Sequence, residues 1–190
     1  NPGLALPLIA LQYHEVKIIV EGGDADDLLV NYVYLDTDER RRFAQVSHEY
    51  LIEQVQHTGV ETVASHTGDG KSTTITLTYN HPVKALFWNW DDSVDITSYN
   101  AKLQLNGHDR FSEQDALYFT GVQPYECGLR HDGNDQEVPS AELAGMYSFC
   151  LKPGEHQPSG TCNFSRIDNA RLVLSLTTGG TAAANTLNVF

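Results

Sequence analysis

The chain has 190 residues, with 12 lysines and arginines against 25 aspartates and glutamates, a formal net charge of −13 and a pI near 4.8. That length suits one domain with a substantial core, and so acidic a balance argues against direct contact with nucleic acid, whose readers carry a basic footprint. No apolar run approaches the ~20 residues needed to span a bilayer and no basic-then-apolar leader is visible, so a soluble domain without membrane insertion is expected.

Taken in chain order, the sequence reads as a series of strands. Leu8 to Val20 predicts the first, with a fault in it: Ile9, Leu11 and Tyr13 make one face apolar, whereas Val16, Ile18 and Val20 make the other apolar. A one-residue slip exchanges the faces of a strand, so a bulge or bend is expected near Gln12 to Glu15. Leu28 to Leu35 is apolar on both faces, as for a strand covered by a second layer or another subunit. Asp36 or Thr37 can cap a turn or two of helix through Arg40, Arg41 and Arg42. Tyr50 to Gln56 fits helix or strand, and strand is favoured.

Beyond Gly68-Asp69-Gly70-Lys71, a turn, Ile75, Leu77 and Tyr79 alternate with threonines in the period of a half-buried strand. Val83 to Trp88 predicts another strand. Tyr99, Ala101, Leu103 and Leu105 alternate with polar residues up to Asn106-Gly107, a pair that tolerates positive φ in a turn. Ser112 and Asp115 suggest a helix cap, with a short helix to Phe119 that Pro124 should disrupt. Met146 to Leu151 and Ala170 to Thr177 complete the strands, and the Thr-, Gly- and Ala-rich stretch 177–184 reads as a surface loop. Leu187 to Phe190 resembles the start of one more strand. With about eight strands, few helices and no internal repeat, the reading is an all-β, eight-stranded jelly-roll sandwich with short helices in its loops, one domain over 1–190.

Catalytic and metal chemistry finds no support. The 8 histidines include no HxH or HExxH pair, so a cupin-like metal site would need ligands from distant segments. There is no GxSxG elbow and no recognisable cysteine nucleophile. No catalytic residue, cofactor or metal is assigned. Cys127, Cys150 and Cys162, odd in number and without CxxC spacing, predict free thiols in a reducing compartment. Asn163-Phe164-Ser165 matches the glycosylation sequon but reads better as chance, and Phe87, Trp88 and Trp90 read as core rather than a sugar platform. Arg40, Arg41 and Arg42 form the one dense basic feature: either a solvated helix face beside Asp36, Asp38 and Glu39, or an intersubunit contact.

Several blocks are specific enough to resemble a known family. They are Leu6-Pro7-Leu8-Ile9-Ala10-Leu11-Gln12-Tyr13-His14-Glu15-Val16, Asp36 to Ala44 with Glu49 to Gln54, His81 to Lys84, Leu105 to Phe111, and Gln157 to Asp168. In order and over most of the chain, they are similar to the C-terminal half of major capsid proteins of nucleocytoplasmic large DNA viruses, closest to the phycodnavirus and mimivirus-like branches. The resemblance implies two tandem jelly rolls per subunit, three subunits per pseudo-hexagonal capsomer and an icosahedral shell. Other copies of itself, minor capsid proteins and penton proteins are the implied partners. The virion is the implied location, after assembly in the host cytoplasm. This chain would be the second jelly roll, a fragment without the first one and without the extreme C-terminus. A cupin-like or sugar-binding jelly roll is the alternative.

Overall fold

A computed structural model describes residues 2–21, 27–64, 72–90, 96–129, 144–178 and 184–190. The sequence reading takes 1–190 as a single domain; the contacts divide the chain into two compact units, Asn1–Gln54 and Val55–Phe190.

The first unit holds a 3₁₀ turn, Pro2–Leu4, and helix α1, Thr37–Gln45. Asp36 caps α1 as expected, its Oδ1 accepting from the Glu39 amide at 2.9 Å. Three strand expectations fail. Leu8 to His14 is a run of turns, with the Ala10 amide donating to Pro7 O and the His14 amide to Leu11 O, and 15–21 joins no ladder. Leu28 to Leu35 is likewise without a ladder, and so is Tyr50 to Gln56. The physical reason is common to all three: β-prone residues become a strand only where a neighbour takes up their backbone N–H and C=O groups, and the described residues offer these none.

The second unit is a sandwich. Its strands are β1 (Val60–Ala64), β2 (Thr73–Thr76), β3 (Pro82–Val83), β4 (Ala85–Trp90), β5 (Ile96–Leu105), β6 (His108–Asp109), β7 (Gln114–Asp115), β8 (Gly145–Ser148), β9 (Cys162–Asn163), β10 (Ala170–Thr178) and β11 (Ala184–Val189). One sheet runs β1-β11-β4-β8. The other runs β2-β10-β5-β6, with β7 also on β5, and β3 pairs with β9 as a separate two-stranded ribbon. Since β6 pairs with Gln104 and Leu105 and β7 with Asn100 and Ala101, the two short strands share one position along β5. Each sheet therefore has four positions, and all the pairings are antiparallel. The first strand lies against the last and the second against the last but one, β1 on β11 and β2 on β10. Such nesting of early strands on late ones is the wrapping of a jelly roll. The number of positions is as expected, but β1, β11 and the β6/β7 position stand where the reading had Leu8–Val20, Leu28–Leu35 and Tyr50–Gln56; of these, β11 contains Leu187 to Val189 from the expected strand start at Leu187 to Phe190.

Alternation fixes which face goes in. Tyr99, Ala101 and Leu103 from β5, Leu172, Leu174 and Leu176 from β10, and Leu187 and Val189 from β11 join Leu86, Trp88 and Trp90 in one buried cluster. Phe87, between them on β4, faces outward and is half-exposed. Asn106 and Gly107 adopt the expected positive φ, 52° and 80°. The Asn106 Oδ1 also accepts from the amides of Asp168 and Asn169, tying this hairpin to the start of β10.

Two buried hydroxyls give the core an alkaline limit. Burial pushes Tyr79 and Tyr99 from 10.0 up to about 12; the Tyr79 hydroxyl donates to Val189 O at 2.8 Å and that of Tyr99 accepts from Trp88 Nε1 at 3.2 Å. A group whose pKa is raised by folding contributes stability that is complete below its unfolded value and is lost as pH climbs through the folded one. Denaturant midpoints should hold to about pH 10 and fall between there and about pH 12. Tyr79→Phe should lessen that fall, and a midpoint independent of pH over the window would refute the linkage.

Candidate functional site

Two surfaces stand out from the sandwich core. The first is α1, none of whose residues is buried. Successive residues on a helix are about 100° apart, so Arg40, Arg41 and Arg42 fan outward and do not share a face. Arg41 lies 3.6 Å from Asp38, one turn back, an exposed pair of little energetic weight. Arg40 and Arg42 have no ion pair among the described residues. The helix is closed at its far end by His48, which meets Phe43 O at 2.8 Å and stacks on the Phe43 ring at 4.9 Å.

The second surface lies on a helical segment, 116–126, in which a π-helical stretch, Tyr118–Val122, runs directly into α2, Gln123–Glu126. Ser112 does not cap it; Asp115 does, its Oδ1 accepting from the Tyr118 amide at 3.1 Å. Nor does Pro124 end it. The proline sits in the first turn of α2, where the missing N–H costs nothing because no partner is required there. The inner face is locked to β8: Phe119 is fully buried, edge-on to Trp88 at 5.1 Å. Gln123 is buried as well. Its Oε1 accepts from the Ser148 amide and its Nε2 donates to Tyr118 Oη and Glu126 Oε2. The outer face, where polar side chains would be expected, carries Leu117, Val122 and Tyr125, with Leu129 just beyond, all exposed and Tyr125 at 70%.

The other sequence candidates do not converge. Among the described residues no group of three or more His, Cys, Asp or Glu could hold a metal. His57 stacks on Phe190 at 4.6 Å, and His81 occupies a turn with φ of 68°. Trp88 and Trp90 are buried, so neither offers a platform to a sugar. The three thiols are free, and burial raises that of Cys162 despite Arg110 nearby, which makes it a poorer nucleophile. Asn163 Oδ1 accepts from the Ser165 amide, capping a 3₁₀ turn, Phe164–Arg166. Gly68 to Lys71 lies outside the described residues.

The sequence profile of the family described as large eukaryotic DNA virus major capsid protein matches residues 39–98 and 91–189. The chain belongs to that family. It is similar to the major capsid protein of Pyramimonas orientalis virus, 50% identical over all of this chain and 54% of the relative. To that of Paramecium bursaria Chlorella virus 1 it is 40% identical over 94% of this chain and 52% of the relative. It thus spans about half the length of these curated relatives. Among solved structures, the quasi-atomic model of the PBCV-1 virus capsid covers all of this chain with a TM-score of 0.74 at 32% identity, and this chain covers 63% of it. Major capsid proteins are structural rather than enzymatic, and nothing supports the cupin-like alternative.

Sequence reasoning placed Arg40, Arg41 and Arg42 on a helix, and there they are. It missed the outer face of 116–126. The signal was the apolar Leu117, Val122 and Tyr125, but apolar residues recurring along a helix ordinarily mark its buried face.

Proposed function

We propose that the chain is the second jelly roll of a double jelly-roll capsid subunit, and that its function is side-by-side assembly into trimeric, pseudo-hexagonal capsomers of an icosahedral shell. The observation that carries this reading is the match of all of this chain to part of a solved virus capsid, together with a sandwich whose early strands nest on its late ones. A sandwich of this kind buries its own core and leaves its outer faces and loops free for tiling. Two per chain and three chains per ring give six similar units about a closed axis, in which every heterologous contact is satisfied.

On this reading Val16 to Val20 and Leu28 to Leu35 are the seams to the rest of the subunit. They are rich in β-branched and aromatic residues and stand exposed, Leu29 at 94% and Tyr34 at 90%, so they suit pairing with strands of the first jelly roll. Arg40, Arg41 and Arg42 serve as an intersubunit contact. The subunit resides in the virion, is assembled in the host cytoplasm and meets minor capsid and penton proteins in the shell, without contacting the genome directly.

Light scattering of the complete subunit at micromolar concentration tests the proposal. Obligate interfaces of this type commonly bury more than ~2,000 Å², so trimers should persist on dilution. A monomer at every salt concentration, with no capsomer-like particles, would rule it out.

A further inference from the structure

We propose that Asn106-Gly107 is a modification site held shut by the fold: Asn106 converts to isoaspartate only in a chain whose β5-β6 hairpin has come away from the start of β10. This is the one Asn-Gly pair in the sequence. Asparagine before glycine closes readily into a ring, since no Cβ shields the attacking amide. The Gly107 nitrogen loses its proton and bonds to Asn106 Cγ. The Cγ–Nδ2 bond breaks, and the side-chain nitrogen leaves with a proton as ammonia, giving a succinimide. Water then adds to one of the two ring carbonyls, and opening of the ring leaves aspartate or isoaspartate. Water is the only co-reactant, and nothing is oxidised or reduced.

Exclusion of solvent does not protect the pair, for both residues are exposed. Three hydrogen bonds do. Asn106 Oδ1 accepts from the Asp168 amide at 2.9 Å and from the Asn169 amide at 3.2 Å, and the Asn106 amide donates to Asn169 O at 2.7 Å. The side chain that must swing round to meet its own backbone is thereby fixed to another segment. The backbone is set against closure as well. Leu105 pairs with His108, and positive φ at both residues between them makes a type I′ turn. Such a turn holds ψ of its first central residue at about +30°, whereas the ring needs the glycine nitrogen eclipsed with Cβ. At that ψ the nitrogen points nearly the opposite way. Ring closure therefore requires both release of Oδ1 and unwinding of the turn.

The product cannot resume the native arrangement. In isoaspartate the chain runs through Cγ, so the carbonyl that held Asp168 and Asn169 becomes backbone and the two-residue turn is lengthened. The Leu105–His108 pairing and the clamp are then both lost, beside the buried Ala170 that begins β10. Opening is thus marked covalently, chain by chain.

The test is peptide mapping of the complete subunit aged in mildly alkaline buffer, with isoaspartate at 106 located by electron-transfer fragmentation. Conversion in the folded protein should be at least about ten-fold slower than in the same chain held in urea, the ratio following the opening equilibrium. Asp168→Pro removes the shorter of the two amide donors at a place where Ile167 already has the extended backbone that a following proline demands, φ −107° and ψ 114°. Folded Asp168→Pro should convert about five-fold faster than wild type, the effect of one lost hydrogen bond. After ageing in urea and refolding, isoaspartate should be confined to chains that melt earlier. Folded wild type that converts as fast as the unfolded chain overturns the inference, and so does a folded Asp168→Pro protein that converts no faster than wild type. If Asp168→Pro does not fold, the comparison of folded with urea-held wild type decides alone.

Discussion

Gly145→Ala is expected to destabilise the sandwich by about 3 kcal/mol, near the upper end of ordinary overpacking costs, and to lower the melting temperature by roughly 10 °C. Gly145 lies on β8 directly opposite Trp88. A Cβ placed there would stand 2.5 Å from Trp88 Cε2 and Nε1 and 2.6 Å from Tyr99 Oη. No real Cβ tolerates such distances, and the obstruction cannot swing aside: Trp88 is 1% exposed, held by its bond to Tyr99 and packed against Phe119. The alanine must instead push β8 away from β4, which separates Leu86–Tyr147 and Phe87–Met146 as well. Thermal unfolding measures the effect. Introducing the same alanine into a Trp88→Leu, Tyr99→Phe background should cost much less, because both colliding groups are gone, and equal costs in the two backgrounds would show that the clash is not the cause.

Phe119→Ala should cost about 3–5 kcal/mol, the range for removing a buried aromatic side chain. The ring meets Trp88 at 5.1 Å, Tyr118 at 5.0 Å and Phe111 at 5.7 Å, in tilted and edge-on arrangements that contribute beyond simple burial. Its loss opens a cavity between the helical segment and the sheet that the surrounding rings, pinned by one another, fill poorly. The segment should then loosen before the sandwich melts, and limited proteolysis should cut first within 116–129. Phe119→Leu keeps most of the volume and should cost less than half as much. A Phe119→Ala protein that melts with the wild type would refute this account of how the segment is held.

How much of this was legible in the sequence follows from how each segment is buried. Tyr99 to Leu105, Ile75 to Tyr79 and Ala170 to Thr177 lie with one face in the core and one in water, so period-2 alternation reports them faithfully. Leu8 to Val20 and Leu28 to Leu35 have the residues of strands without partners within the described chain, and propensity cannot supply a missing ladder. Val60 to Ala64 was overlooked because over 60–63 only Val63 is buried while Val60 is exposed, so its apolar residues set no period of two. The full length of the helix over 116–126 is masked in the sequence because Pro124 resembles a breaker, whereas the π-helical stretch before it delivers the proline into a first turn. For the candidate site, the arginines were plain from composition; the exposed apolar face of 116–126 was not, because an apolar stripe on a helix looks the same in sequence whether it faces the core or the solvent.

The pairing of β1 with β11 carries a consequence for synthesis. The strand made last in this unit is inserted between the strand made first and β4, so the sheet β1-β11-β4-β8 has a vacant central place until Ala184 to Val189 have arrived. Contacts of such long sequence separation make folding slow, since loop closure must be endured before any pairing rewards it. Until then, β1 and β4 both present open edges beside exposed Trp88 and Trp90, a state prone to join the same edges on a neighbouring nascent chain. The pairing of β11 fills that place and ends the interval in which this unit is prone to such joining.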